Sequence, residues 1–305
     1  MKRFIFYLTV ILVVSASCRK EEIFNPSQKI EYIKVQMPSQ MQQLAFFKYD
    51  KNTLVALSVT DPKAETGPHE YMFEYNRDKQ IIVISDLLSN ERAELTYEDK
   101  LLKEVKFYVD NQLSSTIEVS HKKDKICKLD YISVSSHASS LCNIICPEQK
   151  NTQGLKTRKD NRLYMRQYIT YNGDNVSRMR TYLFNSSKDS SLLCSYSYTY
   201  DNSRNPFYGL PLPLFDVKGY SKNNVATTQI SYDNGYENYD RALISQRNTY
   251  TCKKQYPIDH QMIQYITVSD VEQIYNQEKQ TYYDTIIIRY SGVDAQEYYV
   301  YDYAK

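Results

Sequence analysis

The chain has 305 residues, with 38 basic against 36 acidic side chains, 31 tyrosines, ten phenylalanines, seven glycines and no tryptophan. That near-neutral balance, with no Lys/Arg run interleaved with aromatic residues, excludes an electrostatic nucleic-acid footprint. Tyrosine in such numbers points to sheet, because the ring packs on a pleated surface while the hydroxyl reaches water.

The chain opens with Lys2 and Arg3, an eleven-residue apolar run from Phe4 to Val14, and then Ser15-Ala16-Ser17-Cys18. The run is far short of the roughly 20 residues a bilayer-spanning helix needs, so residues 1–17 are expected to be a secretory signal that is removed. Cleavage before Cys18 leaves a cysteine at the mature N-terminus. Small residues at the two preceding positions resemble a bacterial lipobox, although Ser15 stands where Leu is commonest. Ordinary signal-peptidase cleavage after Ser17 would instead leave Cys18 as a plain thiol. Arg19-Lys20-Glu21-Glu22 resembles the lysine plus two acidic residues (here Lys20, Glu21 and Glu22) that send Bacteroidetes-type lipoproteins to the outer face of the outer membrane. The resemblance implies a diacyl or triacyl anchor on Cys18, since one acyl chain binds only marginally. Removing residues 1–17 takes away Lys2 and Arg3 and leaves 36 basic against 36 acidic residues. Residues 18–29 then read as a lipidated tether and 30–305 as one β-hairpin domain.

Ile33, Val35 and Met37 alternate on a first strand that Pro38 ends. A unit of apolar, polar, Tyr and acidic or Asn then recurs at Tyr49, Tyr75, Tyr97, Tyr171, Tyr200 and Tyr232, with a degenerate copy at His121. The anchors 49, 75, 97 and 121 lie 26, 22 and 24 residues apart, and the 50 from 121 to 171 suggest two periods with one lost copy. Two strands of about nine residues and two short turns make that length. Lys100 to Asp110 reads as a return strand with Leu102, Val105 and Phe107 as its apolar members. Asn172-Gly173 and Asn234-Gly235 are the strongest tight-turn signals, because Asn and Gly tolerate the positive φ of type I′ hairpins. With seven glycines in all, most other turns are expected to be longer loops built on Asp, Asn and Lys.

Residues 135–161 break the alternation and read as an irregular loop or seam. In Ser195–Phe207, Tyr196, Tyr198 and Tyr200 fall on one strand face, and Asp201-Asn202 is expected to close a turn. Asn205–Phe215 carries three prolines, so it is no central strand and is expected to fold over an end or edge of the sheet. The chain ends in long strands through Ile286-Ile287-Ile288, with Tyr299, Tyr301 and Tyr303 on one face. The fold class is therefore all-β, an antiparallel meander of hairpin repeats forming a twisted or rolled sheet or a sandwich. The Tyr-Asp units resemble YD or RHS β-hairpin repeats, and the whole mature chain resembles the tyrosine-rich β-repeat lipoproteins of Bacteroidetes. That resemblance implies fold and location and carries over no catalytic residue.

After Cys18, five cysteines remain, and in an oxidising compartment Cys142 and Cys146 are the candidates for a local disulfide, with Cys127 competing. His137 five residues before Cys142 makes only a weak zinc pattern, and no metal or other cofactor is expected. The sequence has no GxSxG elbow, HExxH helix or phosphate-cradling glycine loop. Asp259-His260, after Pro257, reads as a polar turn. The functional expectation is a surface-facing outer-membrane lipoprotein acting as a non-catalytic binding or scaffold module. A glycan-binding accessory in nutrient capture is the alternative, with a secreted hydrolase third. Expected partners are the outer membrane through the lipid, and a polysaccharide or another envelope protein, with no nucleic acid. A hydrolase would gather His260 or Cys142 with acidic partners in a pocket; a plain scaffold would have no such pocket.

Overall fold

The computed structural model describes residues 29–37, 40–60, 68–135, 139, 141, 162–184, 190–210, 217–233, 236–237, 239–276 and 281–304. Cys18, Lys20, Glu21, Glu22, His137, Cys142, Cys146 and Asn234-Gly235 lie outside them. The strands are β1 (Ile30–Gln36), β2 (Met41–Asp50), β3 (Thr53–Val59), β4 (His69–Tyr75), β5 (Ile81–Asp86), β6 (Glu91–Glu98), β7 (Leu101–Val109) and β8 (Gln112–Lys122). They continue as β9 (Lys125–Ser133), β10 (Arg162–Asn172), β11 (Asn175–Phe184), β12 (Ser190–Arg204), β13 (Asn223–Tyr232), β14 (Arg241–Lys253), β15 (Tyr256–Asn276) and β16 (Thr281–Tyr303). One short helix, α1 (Val217–Tyr220), precedes β13.

The meander closes: each strand pairs antiparallel with its neighbours in sequence, and β16 returns to β1, making a closed sixteen-stranded barrel. The expected all-β meander is present, but it is neither an open sheet nor a sandwich. Closure joins the two ends of the meander by pairing β1 with Tyr299–Tyr303 of β16. Apolar side chains point inward into one continuous core, including Phe47, Phe73, Val105, Phe107, Leu129 and Met179. Outward positions on β6 and β7 carry ion pairs such as Lys106–Glu104 at 2.9 Å and Arg92–Glu94 at 3.1 Å. That is the reverse of a lipid-facing barrel, whose outer band is apolar.

The repeat is a hairpin with a defect at a fixed place. Near the start of the second strand of each even-to-odd pair there is one extra residue: Val55, Ile82, Lys103, Cys127, Ser177, Ala226 or Ile258. The same defect recurs at Glu31, where β16 meets β1 without a connecting turn. β1 thus serves as the second strand of an eighth unit whose first strand is β16. Each β-bulge turns the next side chain back to the same face, so buried residues fall three apart instead of two. Ile30 and Ile33, Leu54 and Leu57, Ile81 and Ile84, Leu102 and Val105, and Val176 and Met179 are such pairs.

Facing each bulge stand Tyr49, Tyr75, Tyr97, His121, Tyr171, Tyr200, Cys252 and Tyr303, each at the end of its strand or one residue before it, except Tyr200, which lies four residues before the end of β12. Tyr232 is not one of them: it ends β13, an odd strand, at the other rim. Nor is a copy lost between His121 and Tyr171, because β9 and β10 are hydrogen-bonded neighbours. The extra residues there form a long connection, most of it outside the described residues.

The turns also differ from expectation. Asp99-Lys100, Asp110-Asn111 and Lys254-Gln255 are two-residue turns in which both residues have positive φ, between 48° and 70°. Lys51-Asn52 and Lys123-Asp124 are equally short, with positive φ at the first residue. Asp, Asn and Lys accept the left-handed conformation here, so few glycines do not force long loops. In the β10–β11 hairpin the turn is Gly173-Asp174, one residue later than Asn172-Gly173, with Gly173 at φ +58°. Asp201-Asn202 closes no hairpin; its carboxylate accepts the Ser203 N–H at 2.9 Å, while β12 runs on to Arg204.

Candidate functional site

Aligning the eight units exposes a polar and aromatic quadrant. Two residues before the bulge-facing position, the units carry Phe47, Phe73, Leu95, Val119 and Ile169, and then Tyr198, Tyr250 and Tyr301. Four residues before it, the last three units carry Tyr196, Asn248 and Tyr299. Three residues after the residue that pairs with the bulge-facing position, six units carry Ile33, Leu57, Ile84, Val105, Leu129 and Met179. The β13 and β15 units carry Thr228 and His260 instead. All eight of these residues are buried, His260 at 7% exposure. Thr228, His260 and the six residues Tyr196, Tyr198, Asn248, Tyr250, Tyr299 and Tyr301 line one interior cavity of about 600 Å³. At two of the three positions the other units carry a core hydrophobe throughout, and at the third they carry Ala45, Tyr71, Ala93, Ile117 and Gln167, so packing alone does not call for most of these replacements.

The insertion between β12 and β13 closes one side of the cavity. The Asn205 Oδ1 accepts the Phe207 N–H at 2.9 Å and its Nδ2 donates to the Ser221 carbonyl at 2.7 Å. This pins Asn205-Pro206-Phe207 as a buried turn, with the Phe207 ring 6.4 Å from Phe47 of β2. As expected, the described part of the proline-bearing segment, 205–210, is not a strand; it packs into the interior, and residues 211–216 lie outside the described residues.

His260 is built into the cavity wall. Its ring stacks on Tyr299 with centroids 4.5 Å apart and lies 5.0 Å from Tyr250. Its Nδ1 hydrogen-bonds the Tyr301 hydroxyl at 2.7 Å. Glu297, two residues before Tyr299, accepts the Tyr299 hydroxyl. Burial pushes the Tyr299, Tyr250 and Tyr301 phenols well above their ordinary range, so they stand as neutral donors. The Tyr250 hydroxyl and the Asn248 Nδ2 both donate to the Val225 carbonyl at 3.0 Å.

One polar group lacks such support. Asn224, at 4% exposure, lines the cavity, and its Nδ2 has no hydrogen-bond partner among the described residues. An unmatched buried amide costs about 1–3 kcal/mol, so it is unexpected in a position selected only for packing.

The sequence-predicted residues sort as follows. Asp259-His260 is in strand β15 and not in a turn; the pocket gathers His260 with an acid, Glu297, that the sequence reading did not single out. Cys142, the other residue expected in such a pocket, and its partner Cys146 lie outside the described residues. Cys127 and Cys252 are free thiols. The strand-face assignments hold: Tyr196 and Tyr198 face inward with rings stacked at 6.2 Å, and Tyr301 is buried between Tyr299 and Tyr303. His69 pairs through Nδ1 with Asp86 at 2.9 Å. Among the described residues no cluster of His, Cys, Asp or Glu is arranged to hold a metal.

No family model matches the chain, and no curated protein matches it either. Among solved structures, the TcdB2-TccC3 crystal structure aligns over 85% of this chain at 10% identity with a TM-score of 0.23. The chain spans 16% of that much longer chain. A protein of unknown function from Bacteroides fragilis NCTC 9343 aligns over 82% of this chain and 91% of its own length, at 8% identity and a TM-score of 0.12. At those scores the likenesses fix neither fold nor activity.

Proposed function

We propose that this chain is a non-catalytic binding module of the outer membrane, tethered through lipid on Cys18 with Lys20, Glu21 and Glu22 directing it to the cell exterior, and that the β12–β16 cavity is its ligand seat. The observation that carries the reading is the concentration of Tyr, His, Thr and Asn at repeat positions that are aliphatic or Phe in most other units, around a cavity where Asn224 leaves a donor unmatched. About 600 Å³ is the size of a small-molecule site. His260 and Glu297 are engaged by Tyr301 and Tyr299, so the cavity's ionisable groups hold its wall, which favours binding over catalysis.

A second, finer reading is a neutral polysaccharide ligand. Tyrosine ring faces beside amide donors suit a sugar, whose apolar face stacks and whose oxygens accept hydrogen bonds. The experiment is a glycan array followed by calorimetry on the full chain, with Tyr299→Ala and Asn224→Leu beside it. Binding that weakens at least about tenfold in both variants supports the seat. Binding unchanged in both would remove the cavity from the account. Fractionation of Cys18→Ala tests the tether: release from the membrane supports it, and full retention contradicts it.

A further inference from the structure

Among the described strands, β16 leaves the longest edge unpaired. That strand has 23 residues, but β1 pairs with it only from Tyr299 to Tyr303. From Thr281 to Tyr298, β16 has β15 on one side and no hydrogen-bonded strand on the other among the described residues. Beyond the Arg241–Ser269 pair, β14 has also ended, so Asp270–Asn276 and Thr281–Ile287 form a two-stranded ribbon standing off the barrel. Such a ribbon is marginal alone, and three or more strands are needed for independent stability.

The ribbon part of the edge has little of the usual protection. Natural edges are blunted by Lys, Pro, inward charge or β-bulges; Thr281–Tyr298 contains no Lys and no Pro, and its two extra residues, Arg289 and Asp294, lie beyond the Ile286–Ile288 run. Ile286 is 55% exposed and Ile288 64%, on the same face of the ribbon, with Ile287 on the other. The cation of this strand, Arg289, is held across the ribbon by Asp270 of β15 at 2.6 Å and by Glu272 at 2.7 Å.

We propose that this edge pairs with the same edge of a second copy, antiparallel about a two-fold axis at Ile287, making a four-stranded sheet in the order β15, β16, partner β16, partner β15. A second copy is the occupant because the edge is self-complementary in one register. Centred on Ile287, Ile286 opposes Ile288 of the other copy twice on one face, and Ile287 opposes itself on the other. Centred on Asp284, two carboxylates meet; centred on Thr285, each Asp284 faces an isoleucine. Hydrophobic pattern and like-charge avoidance therefore select one register. The pairing also gives each marginal ribbon the third and fourth strands it lacks, and a two-fold contact closes on itself where β16-to-β15 pairing would propagate.

The test is sedimentation of the full chain in detergent across a concentration series, with Ile286→Lys/Ile288→Lys alongside, and oxidation of Ile287→Cys. These side chains are exposed, so the variants are expected to fold, with unchanged circular dichroism. The expected result is a concentration-dependent dimer, a dissociation constant raised at least about tenfold by the double Lys variant, and a disulfide dimer for Ile287→Cys beyond that of the wild type or of Leu88→Cys at a remote exposed site. A monomer at every concentration, species larger than a dimer, or no excess cross-linking at position 287 would overturn it.

Discussion

The Tyr97 hydroxyl donates to the Ile81 carbonyl at 2.8 Å, and Ile81 is the residue just before the extra residue Ile82 of the preceding unit. The same relation joins Tyr75 to Leu54, Tyr200 to Val176 at 2.5 Å, and Tyr303 to Pro257 at 2.6 Å. Tyr250, one rung further in because Cys252 holds the usual place, caps Val225 at 3.0 Å. At these five junctions a bulge disturbs the backbone ladder and the next unit's phenol supplies a donor to the carbonyl beside it, whereas the Tyr49 hydroxyl has no hydrogen-bond partner among the described residues and His121 stands in place of a phenol. The recurrent tyrosine is therefore a joint between repeats. Replacing Tyr97 or Tyr200 by Phe is expected to cost about 1–3 kcal/mol in denaturant unfolding, because the carbonyl stays buried. The exposed Tyr265→Phe is expected to be within about 0.5 kcal/mol of wild type.

Alkaline pH acts on the same joints. Burial raises the Tyr97 and Tyr200 phenols from 10.0 to about 12. A folded value above the unfolded one means that stability is fully present below pH 10 and is lost as pH rises through the folded value. Thermal unfolding should thus be insensitive to these groups up to about pH 10 and weaken between about 10 and 12, with a shallower fall in Tyr97→Phe/Tyr200→Phe.

The carboxylates work in the opposite direction. Asp130 is desolvated, which raises its pKa, but Arg166 and Lys128 outweigh burial and hold it below the usual carboxylate range. Arg166 grips it through two bonds, at 2.5 and 3.0 Å. A depressed folded value gives stability present above the unfolded value near 3.8 and lost as pH falls through the folded one. Asp130→Asn should leave two cations around a neutral amide and flatten the acid limb of a Tm-against-pH curve.

At the turns, Lys100 and Gln255 sit at φ 67° and 70°. Left-handed backbone costs a residue with a Cβ roughly 1–2 kcal/mol, of which Gly's greater unfolded freedom returns part. Lys100→Gly and Gln255→Gly are each expected to stabilise by about 0.5–1 kcal/mol in urea unfolding; destabilisation would mean that the side chains carry contacts worth more than the strain.

Asn224 separates stability from function. Replacing it with Leu removes a buried donor that has no partner among the described residues, so the Tm of the empty protein should hold or rise while ligand binding falls. A falling Tm would show that the amide is satisfied in solution and would weaken the case for a ligand there.

Much of this was legible in the residues, and the misses share a cause. Period-two alternation located the inward faces of β12 and β16. The spacing of Leu102, Val105 and Phe107 already contained a bulge, since a three-residue step cannot keep one face on a regular strand. Closure was not legible, because nothing local distinguishes β1 from the other second strands; only its pairing with Tyr299–Tyr303 does. The short turns were missed because Gly was taken as the requirement for positive φ, whereas Asp99-Lys100 and Lys254-Gln255 accept it. His260 looked like a loop residue after Pro257. Its signal was in the repeat: aligned unit against unit, it stands where Ile33, Leu57 and Leu129 stand.

Ile33 of β1, Leu44 of β2 and Tyr301 of β16 line the same cavity, so barrel closure underlies both fold and proposed seat. Lys34 and Val300 are paired across that closure. The most direct measurement is oxidation of Lys34→Cys/Val300→Cys, with the cross-linked peptide read by mass spectrometry. A closed barrel predicts an intramolecular disulfide in monomeric protein and a higher Tm, since the bond ties a very long loop. Failure to form that bond, with rapid hydrogen exchange throughout β1, would contradict closure and the cavity with it.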